Sequence, residues 1–192
     1  SLPQPRRTLQ KDNIFMSWGQ RSRDEILENL KHFGNAKEKK LGLYRDEYIR
    51  LDGSEIPDSV NYLQVKGFGG ARLEILGWGG ELELLGELEA RIVNVDRGEI
   101  NTERCAISTC EDCKRVRAWG RSTVHLIGCK GVELYESSSA EMWYCSGVEA
   151  YDSASFQAYK DTRVMLFDRA DGEFYGNSSG ILLDTSRAIA YK

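Results

Sequence analysis

The sequence predicts a mainly β protein: a short-coil parallel β-solenoid with two octads, sixteen residues, in each coil and a small α+β cap at its N-terminal end. Three observations predict it. The first is an eight-residue spacing that runs from Leu84 to the end through Leu84, Ile92, Ile100, Ser108, Val116, Val124, Val132, Ala140, Val148, Phe156, Val164, Gly172, Gly180 and Ala188, a column that is small or apolar throughout. The second lies inside the octads VEAYDSAS from Val148, FQAYKDTR from Phe156 and VMLFDRAD from Val164. Positions one and three are apolar, position two is usually polar, and the last four are rich in Asp, Ser, Gly and Arg, so each octad reads as a very short strand followed by a bend. The third is a stronger likeness at sixteen than at eight: Val116, Val132, Val148 and Val164 are all valine, and Cys113, Cys129 and Cys145 alternate with Arg121 and Ser137. At a strand spacing of ~4.8 Å, about seven such coils build a rod roughly 30–35 Å long.

In chain order, residues 1–62 read as a tail, a helix and capping strands, and residues 63–192 as the solenoid. The tail to about residue 12 is polar and basic, with Arg6, Arg7 and Lys11, and is expected to be poorly ordered. Ser22 and Glu25 form a capping box, Ile26, Leu27, Leu30 and Phe33 give one apolar face, and Gly34 supplies a stop. A helix of about eleven residues is marginal alone in water, so this one is expected to cap the first open coil. A membrane-surface role suits it less, because Asp24, Glu25 and Glu28 lie on it. Strands are expected over residues 43–51 and 62–68, separated by Asp52-Gly53-Ser54 and Pro57. Leu73-Glu-Ile75-Leu76 and Leu82-Glu-Leu84-Leu85 are nine apart, which predicts irregular early coils. The glycines at 69–70 and 77–80 lack a following Lys-Ser or Lys-Thr pair and a helix pattern, and read as turns rather than a phosphate loop.

Composition narrows the function. Nineteen Gly against three Pro suit a turn-rich β protein, and a net charge of −4 is unlike a basic nucleic-acid-binding domain, so nucleic acid is not an expected partner. No stretch approaches the ~18 apolar residues of a membrane span, and the N-terminus lacks an apolar signal core. Five cysteines between Cys105 and Cys145 do not read as a disulfide framework, and a reducing cytoplasm is the expected home. Cys110-Glu-Asp-Cys113 has the gap of a zinc knuckle that Cys105 or Cys129 could complete. Against that, the shared column of Cys113, Cys129 and Cys145 reads as small core thiols. No metal or other cofactor is assigned.

No enzyme is expected: His32 lies on the helix, His125 at an outward position, and no serine elbow is present. Glu81, Glu83, Glu87 and Glu89, and later Glu133, Glu141, Glu149 and Glu173, read as a solvated face. As an imitation of a phosphate strip they would be interrupted by Arg91, Arg97, Arg115 and Arg117. Position four carries Trp119, Tyr135, Tyr151 and Phe167 in one set of octads and Trp143, Tyr159, Tyr175 and Tyr191 in the other. Each set is expected to stack as a ladder worth ~0.5–1 kcal/mol per pair, or else to offer an aromatic strip to a sugar, a base or a protein.

The blocks VRAWGRST, VEAYDSAS and FQAYKDTR resemble the alanine-x-valine-x-alanine-tyrosine octad repeats of largely uncharacterised bacterial and bacteriophage proteins. The resemblance covers roughly residues 116–192, more weakly back to Leu84, and implies architecture but not activity. A looser similarity links the sixteen-residue coil to bacterial ice-nucleation proteins, though regular Thr-x-Thr ladders are absent. Two expectations remain. The leading one is a non-enzymatic interaction or scaffolding protein with a protein partner, a phage- or mobile-element-borne inhibitor of a host system being one subclass. Its candidate surface comprises Trp119, Tyr135, Tyr151, Trp143, Tyr159, Tyr175, Arg117, Glu133 and Glu149. Around Ile181, Ile189 and Tyr191 the chain reads as strands without a polar cap, a candidate end for pairing two chains or docking a partner. The alternative is a carbohydrate-binding or carbohydrate-active solenoid using the aromatic ladder.

Overall fold

The computed structural model describes residues 23–32, 38–101 and 107–192. It is a parallel β-solenoid, as the octads predict, of about eight turns rather than the seven expected. Helix α1 (Arg23–His32) opens the described chain with Asp24 and Glu25 in its first turn, where carboxylates favour a helix N-terminus. Ile26, Leu27 and Leu30 are buried in the common core, as expected of a cap. Arg23 fastens the helix by donating to the Arg50 carbonyl at 2.9 Å and by pairing with Glu55. Ser22, Phe33, Gly34 and the basic tail lie outside the described residues. The capping box that is described sits instead at the 3-10 turn Gly53–Glu55, where Asp52 accepts from the Ser54 N–H and Glu55 from the Asp52 N–H.

The strand expected over residues 43–51 is two strands, β1 (Glu38–Leu43) and β2 (Tyr48–Asp52). They belong to opposite faces, so the chain must turn between them. Asp46 takes a left-handed conformation (φ 67°), and the Glu47 N–H donates to the Tyr44 carbonyl at 2.9 Å. Conversely, the strand expected over 62–68 continues as β3 (Tyr62–Leu76), and β4 (Glu81–Val93) does likewise. Each bends at glycine and serves both faces: β1 pairs with residues 62–67 and β2 with residues 72–76, all in parallel. Gly67 and Gly86 meet at this corner, where a Cβ on Gly86 would lie 2.5 Å from the Gly67 carbonyl oxygen.

Thereafter one short strand serves each face in turn. The first face stacks β5 (Arg97–Asn101), β7 (Arg115–Ala118), β9 (Lys130–Leu134), β11 (Ser146–Ala150), β13 (Arg163–Leu166) and β15 (Ser179–Leu182). The second stacks β6 (Ile107–Glu111), β8 (Thr123–Ile127), β10 (Ser139–Trp143), β12 (Ser155–Tyr159), β14 (Asp171–Tyr175) and β16 (Arg187–Tyr191).

The octad is not unbroken from Leu84. Arg91 pairs with Thr109 and Arg97 with Arg115, eighteen residues apart, whereas Ile107 pairs with Thr123 at sixteen, as do all later coils. Two extra residues therefore fall around residues 102–106, and Leu84 and Ile100 stack on Ala118, not on Val116. A slip of two preserves the inward and outward alternation of a strand, so the apolar column reads on as if nothing had been inserted.

Inward side chains of both faces meet as one core, with Val116, Val132, Val148 and Val164 on the first face and Val124, Ala140 and Phe156 on the second. The corners also form columns. Ser122, Ser138, Ala154 and Ala170 occupy equivalent buried positions, and the Ser122 and Ser138 hydroxyls have no hydrogen-bond partner among the described residues. An unpartnered buried hydroxyl costs about 1–3 kcal/mol, and alanine already fills the site in the next two coils, at Ala154 and Ala170. The double variant Ser122→Ala, Ser138→Ala is expected to raise the unfolding free energy by about 1 kcal/mol per site, seen as a higher urea midpoint at unchanged slope. A lower midpoint would mean that the hydroxyls have partners.

Candidate functional site

Because a strand points alternate side chains outward, each face displays straight columns. On the first face Arg117, Glu133, Glu149, Met165 and Ile181 form one column. Beside it, just past the strand ends, Trp119 stacks on Tyr135 at 4.1 Å between centroids, Tyr135 on Tyr151 at 5.0 Å and Tyr151 on Phe167 at 4.8 Å. The second face carries His125, Glu141, Gln157, Glu173 and Ile189. Beside these, Trp143 stacks on Tyr159 at 5.0 Å, and Tyr159 on Tyr175 and Tyr175 on Tyr191 at 4.8 Å each. All planes lie within 12° of parallel. The nominated aromatic residues thus fall into two ladders on opposite faces, and Arg117, Glu133 and Glu149 accompany only the first.

In four rungs the phenol reaches back to the polar residue two positions earlier. Tyr135 donates to Glu133 at 2.9 Å, Tyr175 to Glu173 at 2.7 Å, Tyr159 to Gln157 at 3.0 Å, and Tyr151 to Glu149. Arg117 donates to the same Glu133 at 2.8 Å. Burial and the Glu133 carboxylate push the Tyr135 phenol up to about 12, and the Glu173 bond followed by desolvation does the same for Tyr175. Glu173 is held below its usual range by Tyr175 and Gln157.

A phenol whose folded pKa is raised contributes stability that is fully present below its unfolded value near 10 and is lost as pH rises through about 12. Absorbance at 295 nm is therefore expected to show late-titrating tyrosines, with Tyr135→Phe and Tyr175→Phe each removing one. Uniform titration near pH 10 with the fold intact would deny the phenol–carboxylate bonds.

The early acidic residues form ladders with basic neighbours. Glu74 lies between Arg50 at 3.4 Å and Arg91 at 2.6 Å, accepts from Tyr48, and is lowered chiefly by Arg91, which also holds Glu111 at 3.0 Å. Glu81 approaches Arg97 at 3.9 Å, and Glu83 accepts from Tyr62 and Gln64. His125 faces outward, 3.3 Å from Glu141.

Cys110, Cys113, Cys129 and Cys145 are free and buried. Cys129 donates to the Cys110 carbonyl at 3.2 Å, and Cys145 to the Trp143 and Leu126 carbonyls at 3.4 and 3.5 Å. Thr162 and Ser178 do the same at the equivalent corners of later coils, bonding the Tyr159 and Tyr175 carbonyls at 2.8 Å each. The cysteine column is therefore one stretch of a corner lined by small donors. Adjacent thiols and burial raise Cys110 and Cys129 well above the ordinary thiol value. Among the described residues no group of three or more His, Cys, Asp or Glu side chains is placed to hold a metal ion, and Cys105 lies outside them.

Two features were not read from the sequence. One is an open groove of about 340 Å³ on the second face. The short column Thr123, Ser139, Ser155 and Asp171 leaves room there beside Glu141, Gln157 and Glu173. Its signal was three small hydroxyl residues at intervals of sixteen. The other is the strength of apolar exposure on the last coil. Leu182 occupies the inward column of Leu134 and Leu166, which are fully buried, yet is 47% exposed, while Ile181 is 60% and Ile189 55% exposed. Leu183 and Tyr191 are also exposed there. Among the described residues β15 pairs with β13 and β16 with β14.

These features define a parallel β-solenoid with two-strand coils, with helix α1 packed into its core. No family model, curated protein or solved structure matches the chain. Among the described residues no helix is long and apolar enough to cross a membrane.

Proposed function

We propose that this solenoid is a non-enzymatic protein-interaction module whose docking surface is its first face, the row Arg117, Glu133 and Glu149 beside the ladder Trp119, Tyr135 and Tyr151. The observation that carries the reading is the regular display of that face, where charged and aromatic side chains stand in straight columns one coil apart. Its polar groups are engaged in rows, as in Arg117–Glu133–Tyr135, rather than converging on a point where a substrate could react. The glycan alternative draws less support from the ladders. Near-parallel rings with centroids 4.1–5.0 Å apart cover one another's faces, and a sugar stacks on a face, not on an edge.

The reading is tested by presenting immobilised protein to lysate of the source cells. The comparison variants are Ile181→Asp with Ile189→Asp, and separately Arg117→Glu with Glu133→Lys and Glu149→Lys. A protein retained by wild type and lost only from the second variant supports docking on the first face. Loss only from the first would overturn that surface. No protein bound by any form, together with a glycan-array signal abolished by Trp119→Ala, would replace this reading with the carbohydrate one.

A further inference from the structure

We propose that the groove on the second face binds a linear polyamine, an unbranched chain with an ammonium group at each end. The site lies on the face opposite the one assigned to the protein partner, so the two readings stand or fall separately.

The groove has the shape of a single chain. Its floor is the short column Thr123, Ser139, Ser155 and Asp171, one residue from each coil in parallel register. Its wall is the longer column Glu141, Gln157 and Glu173, two residues farther along the same strands. Outward residues of one strand recur every ~6.8 Å, so the floor is about one side chain wide and admits a chain without branches. The length is bounded as well. Ile107 precedes Thr123 in the floor column and the cation Arg187 follows Asp171, which leaves an extent of ~14 Å between them.

Carboxylate oxygens without donors set the charge of the ligand. Glu141 engages His125 through Oε2, and Glu173 takes both of its bonds, from Gln157 and Tyr175, on Oε2. Neither Oε1 has a donor among the described residues, and the Asp171 carboxylate and the Ser155 hydroxyl have no partner there either. The cations of the adjoining corner, Arg121 and Arg169, do not line the groove. An ammonium group entering it would complete these oxygens with charge-assisted hydrogen bonds.

Spacing selects the class. Glu141 and Glu173 are two coils apart, ~10 Å, with the neutral Gln157 between them, so a single metal ion cannot touch both. An extended aliphatic amine advances ~1.25 Å per bond, which puts the end nitrogens of spermidine ~11 Å apart and those of 1,4-diaminobutane only ~6 Å apart. Only the longer chain reaches both carboxylates at once, with its middle ammonium over Ser155, whose hydroxyl can accept a bond. The volume of about 340 Å³ is in the range of a small-ligand site.

Calorimetric titration of the purified chain with spermidine at low salt tests this. One ligand is expected per chain, with Glu141→Gln plus Glu173→Gln weakening affinity by about tenfold or more. Ser155→Leu, which fills the floor, should abolish binding, and both variants should keep the wild-type circular dichroism. 1,4-Diaminobutane should bind about fivefold more weakly than spermidine, because it leaves one carboxylate unmet. The control Glu133→Gln plus Glu149→Gln removes two carboxylates from the opposite face and should leave affinity within about twofold. No binding of spermidine overturns the proposal. So does an equal loss in the control, which would reduce the effect to general attraction by an acidic protein, or equal affinity for the two amines. Tighter binding of tetralysine than of spermidine would give the groove to a basic protein segment instead. None of these outcomes bears on protein capture by the first face.

Discussion

Replacing Ile26 and Leu30 by aspartate is expected to lower stability by about 3–5 kcal/mol and to convert a well-behaved protein into one that grows with concentration. Both side chains are buried in the core that α1 shares with the first coil, and each contributes about 1.5–3 kcal/mol by burial. Undocking the helix costs less than burying two unpaired carboxylates, so the loss is limited to the docking energy. Undocking the helix would uncover the core side chains that Ile26 and Leu30 now pack with. Apolar surface exposed on a coil favours association of one copy with another. Urea unfolding with static light scattering checks both parts; an unchanged midpoint and a constant mass would show that α1 does not act as a cap.

At the corner where β3 and β4 turn from one face to the other, Gly86→Val is expected to cost about 3–5 kcal/mol, among the larger effects of a single substitution. Gly86 has φ +73°, which a β-branched residue adopts only under strain, and the new Cβ would lie 2.5 Å from the Gly67 carbonyl oxygen. The obstacle is backbone, which cannot turn aside as a side chain could. Gly70 supplies the control, since it too has a positive φ (+93°) but nothing lies within 4 Å of its Cβ position, so Gly70→Ala should cost only about 1–2 kcal/mol. Equal losses at the two positions in chemical denaturation would show that close packing at the corner is not what requires glycine.

The regular half of the molecule was legible because its coil length does not vary. With Val132 over Val116 and Cys129 over Cys113, like residues recur at the spacing of physical neighbours, and ladders such as Trp143, Tyr159 and Tyr175 could be written down directly. The early coils were less legible for a matching reason. Tyr48 pairs with Arg72 at twenty-four, Tyr62 with Glu81 at nineteen and Arg72 with Glu89 at seventeen, so no single period brings Arg50, Glu74 and Arg91 together. Corners were the hardest to place. They depend on left-handed residues that include Tyr144 and Lys160 as well as glycine, and composition does not distinguish a tyrosine in that conformation from one in a strand. The groove on the second face was missed because it arises from side-chain length between columns, which an apolar-polar pattern does not register.

A constant coil also makes the rod adjustable in length. Duplicating sixteen residues, for instance 132–147, would return every later side chain to its own face and column while moving the last coil ~4.8 Å farther from α1. Duplicating eight would carry each later strand to the opposite face and exchange the two ladders. The distance between the two ends could therefore be set in whole-coil steps, with the cap and the terminal coil left unaltered.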